Sequence, residues 1–287
     1  MSASRSGFIP IADVPDARRT HLFHPERVSV TVEPGVAWPG FVLEDLRTAW
    51  HLATLCHAVY HERQAVEETL QTFGWEWIAR VERDGVRADL FRRGETIVLS
   101  GCGTRPREVQ NLRHDLDAAW VAHSAGGRVH RGFADAWSTL RAELQELPRP
   151  NVVTGHSLGG ALAILAAAEY PEVGAMIFGS PRVGDVEFSE NFRGRELIRY
   201  QGPADVVCQL PPKSLGFSHA GRLAVLAESR RWLDPDPSTA SKLRRRSQWS
   251  FASRLPWLHP RALWFRELAD HAIHNYCRIL AMAAKEG

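Results

Sequence analysis

The chain has 287 residues, of which 44% are hydrophobic and 24% charged, the usage of an ordinary globular protein. A formal net charge of +2 is too small to argue for a nucleic-acid partner, and no apolar run is long enough to span a membrane. The N-terminus, Met1-Ser-Ala-Ser-Arg-Ser-Gly-Phe-Ile-Pro10, lacks the apolar core of a signal peptide. Cys56, Cys102, Cys208 and Cys277 show neither paired nor metal-type spacing, which favours reduced thiols, with two disulfides as the arithmetical alternative. These features give the expectation of a cytoplasmic protein.

Residues 1–40, rich in proline, charge and short turns, read as an extended N-terminal arm. From Phe41 to Thr72 apolar residues recur at helical spacing, with Leu46, Trp50, Ala53, Leu55 and Val59 among them. Short β-like runs follow at Trp75–Glu82, Val86–Phe91 and Thr96–Ser100, parted by Asp-Gly and Arg-Gly turns. Arg107–Val121 reads as an amphipathic helix and Phe133–Leu147 as a second, stopped by Pro148. Strands at Asn151–Thr154, Gly174–Phe178 and Glu196–Gln201 then alternate with an alanine-rich helix at Ser157–Tyr170. Apolar strands alternating with helices predict a mostly parallel sheet covered on both faces. Ser229–Arg266 departs in composition, with four of the ten tryptophans and nine basic residues against two acidic ones. It reads as an insertion within one domain covering 41–287.

Gly155-His156-Ser157-Leu158-Gly159 is a G-x-S-x-G pentapeptide between the apolar run Asn151–Thr154 and the helix-forming stretch from Ala161 to Ala168. In a nucleophile elbow the chain turns sharply from strand to helix, exposing the serine hydroxyl, and the flanking glycines permit close approach of the two elements. The helix N-terminus also points free N–H groups at developing negative charge. A hydroxyl needs a general base, and in this arrangement the order is serine, acid, histidine. His219, His259, His271 and His274 lie downstream of Ser157. Asp205 is the favoured acid because it follows the apolar strand Leu197–Tyr200 through a short loop, at the sheet edge where catalytic groups gather. Asp185, Asp234 and Asp270 are its alternatives.

Six stretches in this order resemble the class 3 (fungal-type) triacylglycerol lipase family, from about Phe41 to Tyr276. Besides the elbow they are Ile97-Val-Leu-Ser-Gly-Cys-Gly-Thr104, Val129-His-Arg-Gly-Phe133, Phe178-Gly-Ser-Pro-Arg-Val-Gly184 and Asp205-Val-Val-Cys-Gln-Leu-Pro211. The last, Asp270-His271-Ala-Ile-His-Asn-Tyr276, resembles the Asp-His-x-x-x-x-Tyr of bacterial members. The resemblance implies an α/β-hydrolase fold and a serine ester hydrolase that needs no metal or organic cofactor. It assigns Ser157 as nucleophile, Asp205 as acid and His271 as base, with His274 as rival one turn away. It points to Leu158 and Thr104 as oxyanion donors, and it departs from type at Cys102, where most relatives carry arginine. His219 reads as a satisfied core histidine, and His156 as a packing residue turned from the site.

The implied substrates are acylglycerols or related lipid esters. Phospholipase A1 or short-chain carboxylesterase activity is the alternative, and an inactive lipid-binding scaffold a remote one. The resemblance places a lid at Arg105–Asp117, where an ordinary surface helix reads equally well. Lys242, Arg244, Arg245 and Arg246, followed by Trp249, Phe251, Leu255, Trp257 and Leu258, give the expectation of peripheral contact with an anionic membrane or lipid surface.

Overall fold

The computed structural model describes residues 24–33, 36–103, 119–227, 230–252 and 267–286. Eight strands form the main sheet: β1 (Glu76–Arg83), β2 (Val86–Arg93), β3 (Thr96–Gly101), β6 (Val152–His156), β7 (Gly174–Phe178), β8 (Leu197–Gln201), β9 (Arg222–Ala227) and β10 (Arg230–Leu233). They lie in that order, parallel from β3 through β9 and antiparallel at both margins. A separate hairpin joins β4 (Trp120–Ala122) to β5 (Arg128–His130).

The helices are α1 (Leu46–Ala58), α2 (Arg63–Thr72), α3 (Arg131–Leu144), α4 (Leu158–Glu169), α5 (Val186–Glu190), α6 (Pro237–Ala252) and α7 (Ile273–Glu286). Successive strand side chains point to opposite faces, so a sheet covered on both sides buries every position. Val152, Met176, Phe178, Ile198 and Tyr200 pack into one core with Trp50 and Leu52 of α1 and Tyr276 of α7. Val153, Ala175, Ile177 and Leu197 pack into the other, with Phe133 and Trp137 of α3 and the apolar body of α4. Helices thus cover both faces, as the alternation of strand and helix implied.

Several expectations shift. The single helical stretch at 41–72 is two helices, α1 and α2, the first capped by the Asp45 carboxylate on the N–H groups of Arg47 and Thr48. Part of the extended arm is built into the core: Val30 and Val36 are buried there, and the carbonyls of Pro25 and Val36 accept from His57 and His51 of α1. The helix expected over Arg107–Val121 fails at its end, because Trp120 and Val121 pair in β4, where the Trp120 ring stacks on Phe217. Residues 107–118 of that span lie outside the described residues. The strands β9 and β10 were not foreseen; β10 and α6 fall in the segment of unusual composition.

Candidate active site

The β6-to-α4 junction has the geometry that the pentapeptide implied. Ser157 lies at φ 59°, ψ −126°, between the last residue of β6 and the first of α4. A non-glycine residue there stores on the order of 1–3 kcal/mol of strain, which the surrounding packing must offset. The packing depends on glycine: a Cβ on Gly155 would fall on the Gly159 carbonyl, and one on Gly101 would lie 2.5 Å from the same oxygen. Strand and helix therefore touch backbone to backbone, and any larger residue would push the elbow open.

Two distant segments converge on Ser157. His271 Nε2 lies 3.0 Å from Ser157 Oγ, while Nδ1 lies 3.0 Å and 3.1 Å from the two Asp205 carboxylate oxygens. All three side chains are buried. The Asp205 carboxylate is held in turn, because Tyr276 Oη donates to Oδ2 at 2.7 Å and the Val207 N–H to Oδ1 at 2.9 Å. Burial and the adjacent Asp205 charge push the Tyr276 hydroxyl well above its ordinary pKa, so it stays a donor. The carboxylate's remaining lone pairs thus face the imidazole N–H, the orientation that fixes a tautomer with Nε2 free to accept from the serine. Gly179, at φ 58°, makes room for this pair: a Cβ there would lie 2.9 Å from Asp205 Oδ2 and 3.1 Å from His271 Nδ1.

Of the oxyanion residues, Leu158 opens α4, where the first-turn N–H groups have no partners within the helix. Thr104 lies outside the described residues, as do the lid position at 105–117 and His259. Cys102 packs its thiol toward the carbonyls of Gly103 and Val59, and burial pushes its pKa up to about 12. The guanidinium groups near it come from β1 and β2. Arg80 binds the buried Asp89 carboxylate through two nitrogens at 2.8 Å and 2.9 Å and donates to the His61 carbonyl, while Arg87 donates to that of Val59. The end of α1 is thereby fastened beside Cys102.

His271, rather than His274, reaches Ser157. His219 Nε2 bonds the Cys208 carbonyl at 2.9 Å, a satisfied structural histidine. Asp185 caps α5, and Asp234 binds Arg222 and the Leu223 N–H, so neither alternative acid approaches the imidazole. His156 corrects the reading of a packing residue turned from the site: its Nε2 lies 2.6 Å from the carbonyl of His271 itself. Asp270, adjacent to that histidine, accepts from the Ala204 N–H at 2.7 Å and from Ser247 Oγ at 3.2 Å. Neither contact was legible from local spacing. All four cysteines are free thiols. Among the described residues no group of three or more histidine, cysteine or acidic side chains is arranged to hold a metal ion.

A mostly parallel sheet with helices on both faces and a sharp strand-to-helix elbow at Ser157 is the α/β-hydrolase fold. The solved structure of the triacylglyceride lipase of Rhizomucor miehei shares this fold, with a TM-score of 0.57 at 22% identity over 78% of this chain and 95% of that one. In sequence, the chain is 36% identical over 135 residues to a lipase of Rhizomucor miehei, covering 39% of this chain and 37% of the relative. It is also 36% identical over 129 residues to the "secreted mono- and diacylglycerol lipase 1" of Fusarium solani, covering 39% and 36%. The matched stretch thus spans little more than a third of either relative's length. The family model for class 3 lipases matches residues 98–215, so that segment is similar to the class 3 lipase family. The bacterial-type affinity is not borne out, since these relatives are fungal. The expectation of a cytoplasmic protein is overturned by a relative named as secreted; reduced thiols and the composition of the first residues do not decide the compartment.

Proposed function

We propose that this chain is a serine carboxylic ester hydrolase acting on acylglycerols or related lipid esters through an acyl-enzyme on Ser157. The observation that carries the reading is the continuous hydrogen-bond path from Ser157 Oγ through the His271 imidazole to the Asp205 carboxylate. In this reading His271 Nε2 takes the hydroxyl proton as Ser157 Oγ attacks the ester carbonyl. The N–H groups of Leu158 and Thr104 stabilise the resulting oxyanion. The C–O bond breaks, and the departing alcohol receives the proton from His271. Water then attacks the acyl-enzyme, His271 takes its proton and returns it to Ser157, and the carboxylic acid leaves. Asp205 orients the imidazole and stabilises the imidazolium. The name of the Fusarium solani relative, a mono- and diacylglycerol lipase, supports acylglycerols as the substrate class.

Labelling of wild type and Ser157→Ala by a fluorophosphonate probe, followed by an acylglycerol, phospholipid and p-nitrophenyl ester panel, tests the reading. Covalent labelling of wild type alone, with acylglycerol turnover, is expected. Equal labelling of both proteins defeats it, and a preference for phospholipid or short-chain soluble ester moves the substrate class.

The exposed Lys242, Arg245 and Arg246 on α6 support contact with an anionic lipid surface. Sedimentation with anionic liposomes should weaken in the Lys242/Arg245/Arg246→Ser variant, and equal sedimentation removes this reading.

A further inference from the structure

The acid and the base stand on separate segments. Asp205 follows β8 through the loop Gly202-Pro203-Ala204, and His271 ends a helical turn at 267–271 that leads into α7. Displacing one segment against the other by even a fraction of an ångström would spoil the bond between carboxylate and imidazole, and misplacement of about 1 Å costs roughly a hundredfold in rate. The carboxylate of Asp270 lies across this joint. Its Oδ2 accepts from the Ala204 N–H, the residue just before the acid, while its own backbone leads directly into the base. The two backbones are in contact there, since a Cβ on Gly202 would lie 2.5 Å from the Asp270 carbonyl oxygen.

A third element reaches the same oxygen. Ser247 Oγ donates to Asp270 Oδ2 from α6, in the segment whose basic, tryptophan-rich composition sets it apart. Four residues earlier on the same face, Leu243 is buried against Val225 and Ala227 of β9. Arg244 Nη2 lies 3.9 Å from Glu267 Oε1, at the start of the turn that carries His271. The inner face of α6 is thus seated on the sheet and joined to that turn at two points.

We propose that Asp270 is a positioning residue for the acid–base pair, and that Ser247 makes α6 a buttress of the same device. The inference rests on the ester-hydrolase reading, in which His271 and Asp205 work as a pair. A neutral amide oxygen can accept from the same two donors, so Asp270→Asn keeps these two contacts.

The test is steady-state hydrolysis of p-nitrophenyl butyrate across pH by wild type, Asp270→Ala, Asp270→Asn and Ser247→Ala, each checked for folding, with Ser157→Ala as control. Asp270→Ala is expected to lose about ten- to a hundredfold in kcat with little change in KM, and to shift the limb of the pH–rate profile that reports the base. Asp270→Asn should restore most of kcat. Ser247→Ala should lose about three- to tenfold, the effect of one hydrogen bond. A folded Asp270→Ala protein with wild-type kcat and pH profile overturns the proposal, even if its thermal midpoint falls. If Asp270→Ala does not fold, the other two variants decide: a wild-type pH profile and kcat in Ser247→Ala overturns the buttress, and an Asp270→Asn protein as impaired as a triad variant overturns the contact argument. Retained turnover in Ser157→Ala would instead sink the hydrolase reading, a separate outcome.

Discussion

The Tyr60 hydroxyl stands 2.8 Å from His156 Nδ1, and the opposite nitrogen of that ring lies 2.6 Å from the backbone carbonyl of His271. A carbonyl can only accept, so His156 carries its proton on Nε2 and Tyr60 is the donor to Nδ1. Burial holds His156 well below its ordinary pKa, which keeps it neutral and keeps this direction of donation. The elbow's own histidine is therefore a strut between the end of α1 and the base. Tyr60→Phe removes the donor and leaves a buried ring nitrogen unpaired, at a cost of about 1–3 kcal/mol. Denaturant titration should show that loss together with a fall in kcat; unchanged stability and turnover would mean that the strut carries no load.

Ser157→Ala and His271→Ala are expected to lose ester hydrolysis by several orders of magnitude while remaining folded, because each removes one member of a unit that works only as a whole. Asp205→Asn should be similarly impaired, since an amide facing Nδ1 favours the wrong tautomer. His274→Ala should keep most of the activity, because His271 and not His274 reaches the serine. A dead His274→Ala beside an active His271→Ala would reverse the choice of base.

The elbow was legible because everything that makes it is local: an apolar strand, five residues of turn and an alanine-rich helix. The order serine, acid, histidine then narrowed the partners to Asp205 and a few downstream histidines. What escaped was set by contacts between residues far apart in the chain. Asp270 looked like a local hydrogen-bonding residue, yet its partners are Ala204 and Ser247. His156 looked like packing because no pattern near it names Tyr60 or the carbonyl of His271 as its partners. The run Arg222-Leu-Ala-Val-Leu-Ala227 did carry an apolar strand signal, and it became β9 once β8 offered a parallel edge to pair with. Trp120, by contrast, had helical spacing and was taken into a short hairpin, where it stacks on Phe217.

Gly179 offers a sharper test of how tightly the acid–base pair is enclosed. Its φ of 58° disfavours any side chain, and the Cβ of an alanine would press on both Asp205 Oδ2 and His271 Nδ1. Gly194 has a comparable φ of 76° but open space around it, so Gly194→Ala isolates the backbone cost, about 1 kcal/mol. Gly179→Ala should add to that a loss in kcat of about tenfold or more. Equal kcat in the two variants would show that the pair tolerates the intrusion.

Acid should unfold this protein through the histidines of α1. Burial holds His51 down to about 4 and His57 down to about 3, with His61 and His274 adding repulsion against a charge on His57. Both rings spend their Nε2 on the carbonyls of residues preceding α1, Val36 and Pro25. In the unfolded chain each titrates near the ordinary value of about 6.5. Below that pH the unfolded state binds protons that the folded state refuses, so stability present at neutral pH is lost as the pH falls toward 4. The slope is up to about 1.4 kcal/mol per pH unit for each histidine. Urea midpoints measured at pH 7.5, 6.0 and 5.0 should therefore decline steeply. His57→Gln keeps a donor for the Pro25 carbonyl but cannot take up a proton, so its decline should be shallower by about one proton's worth of slope. Equal slopes in the two proteins would place the acid sensitivity elsewhere than in His57.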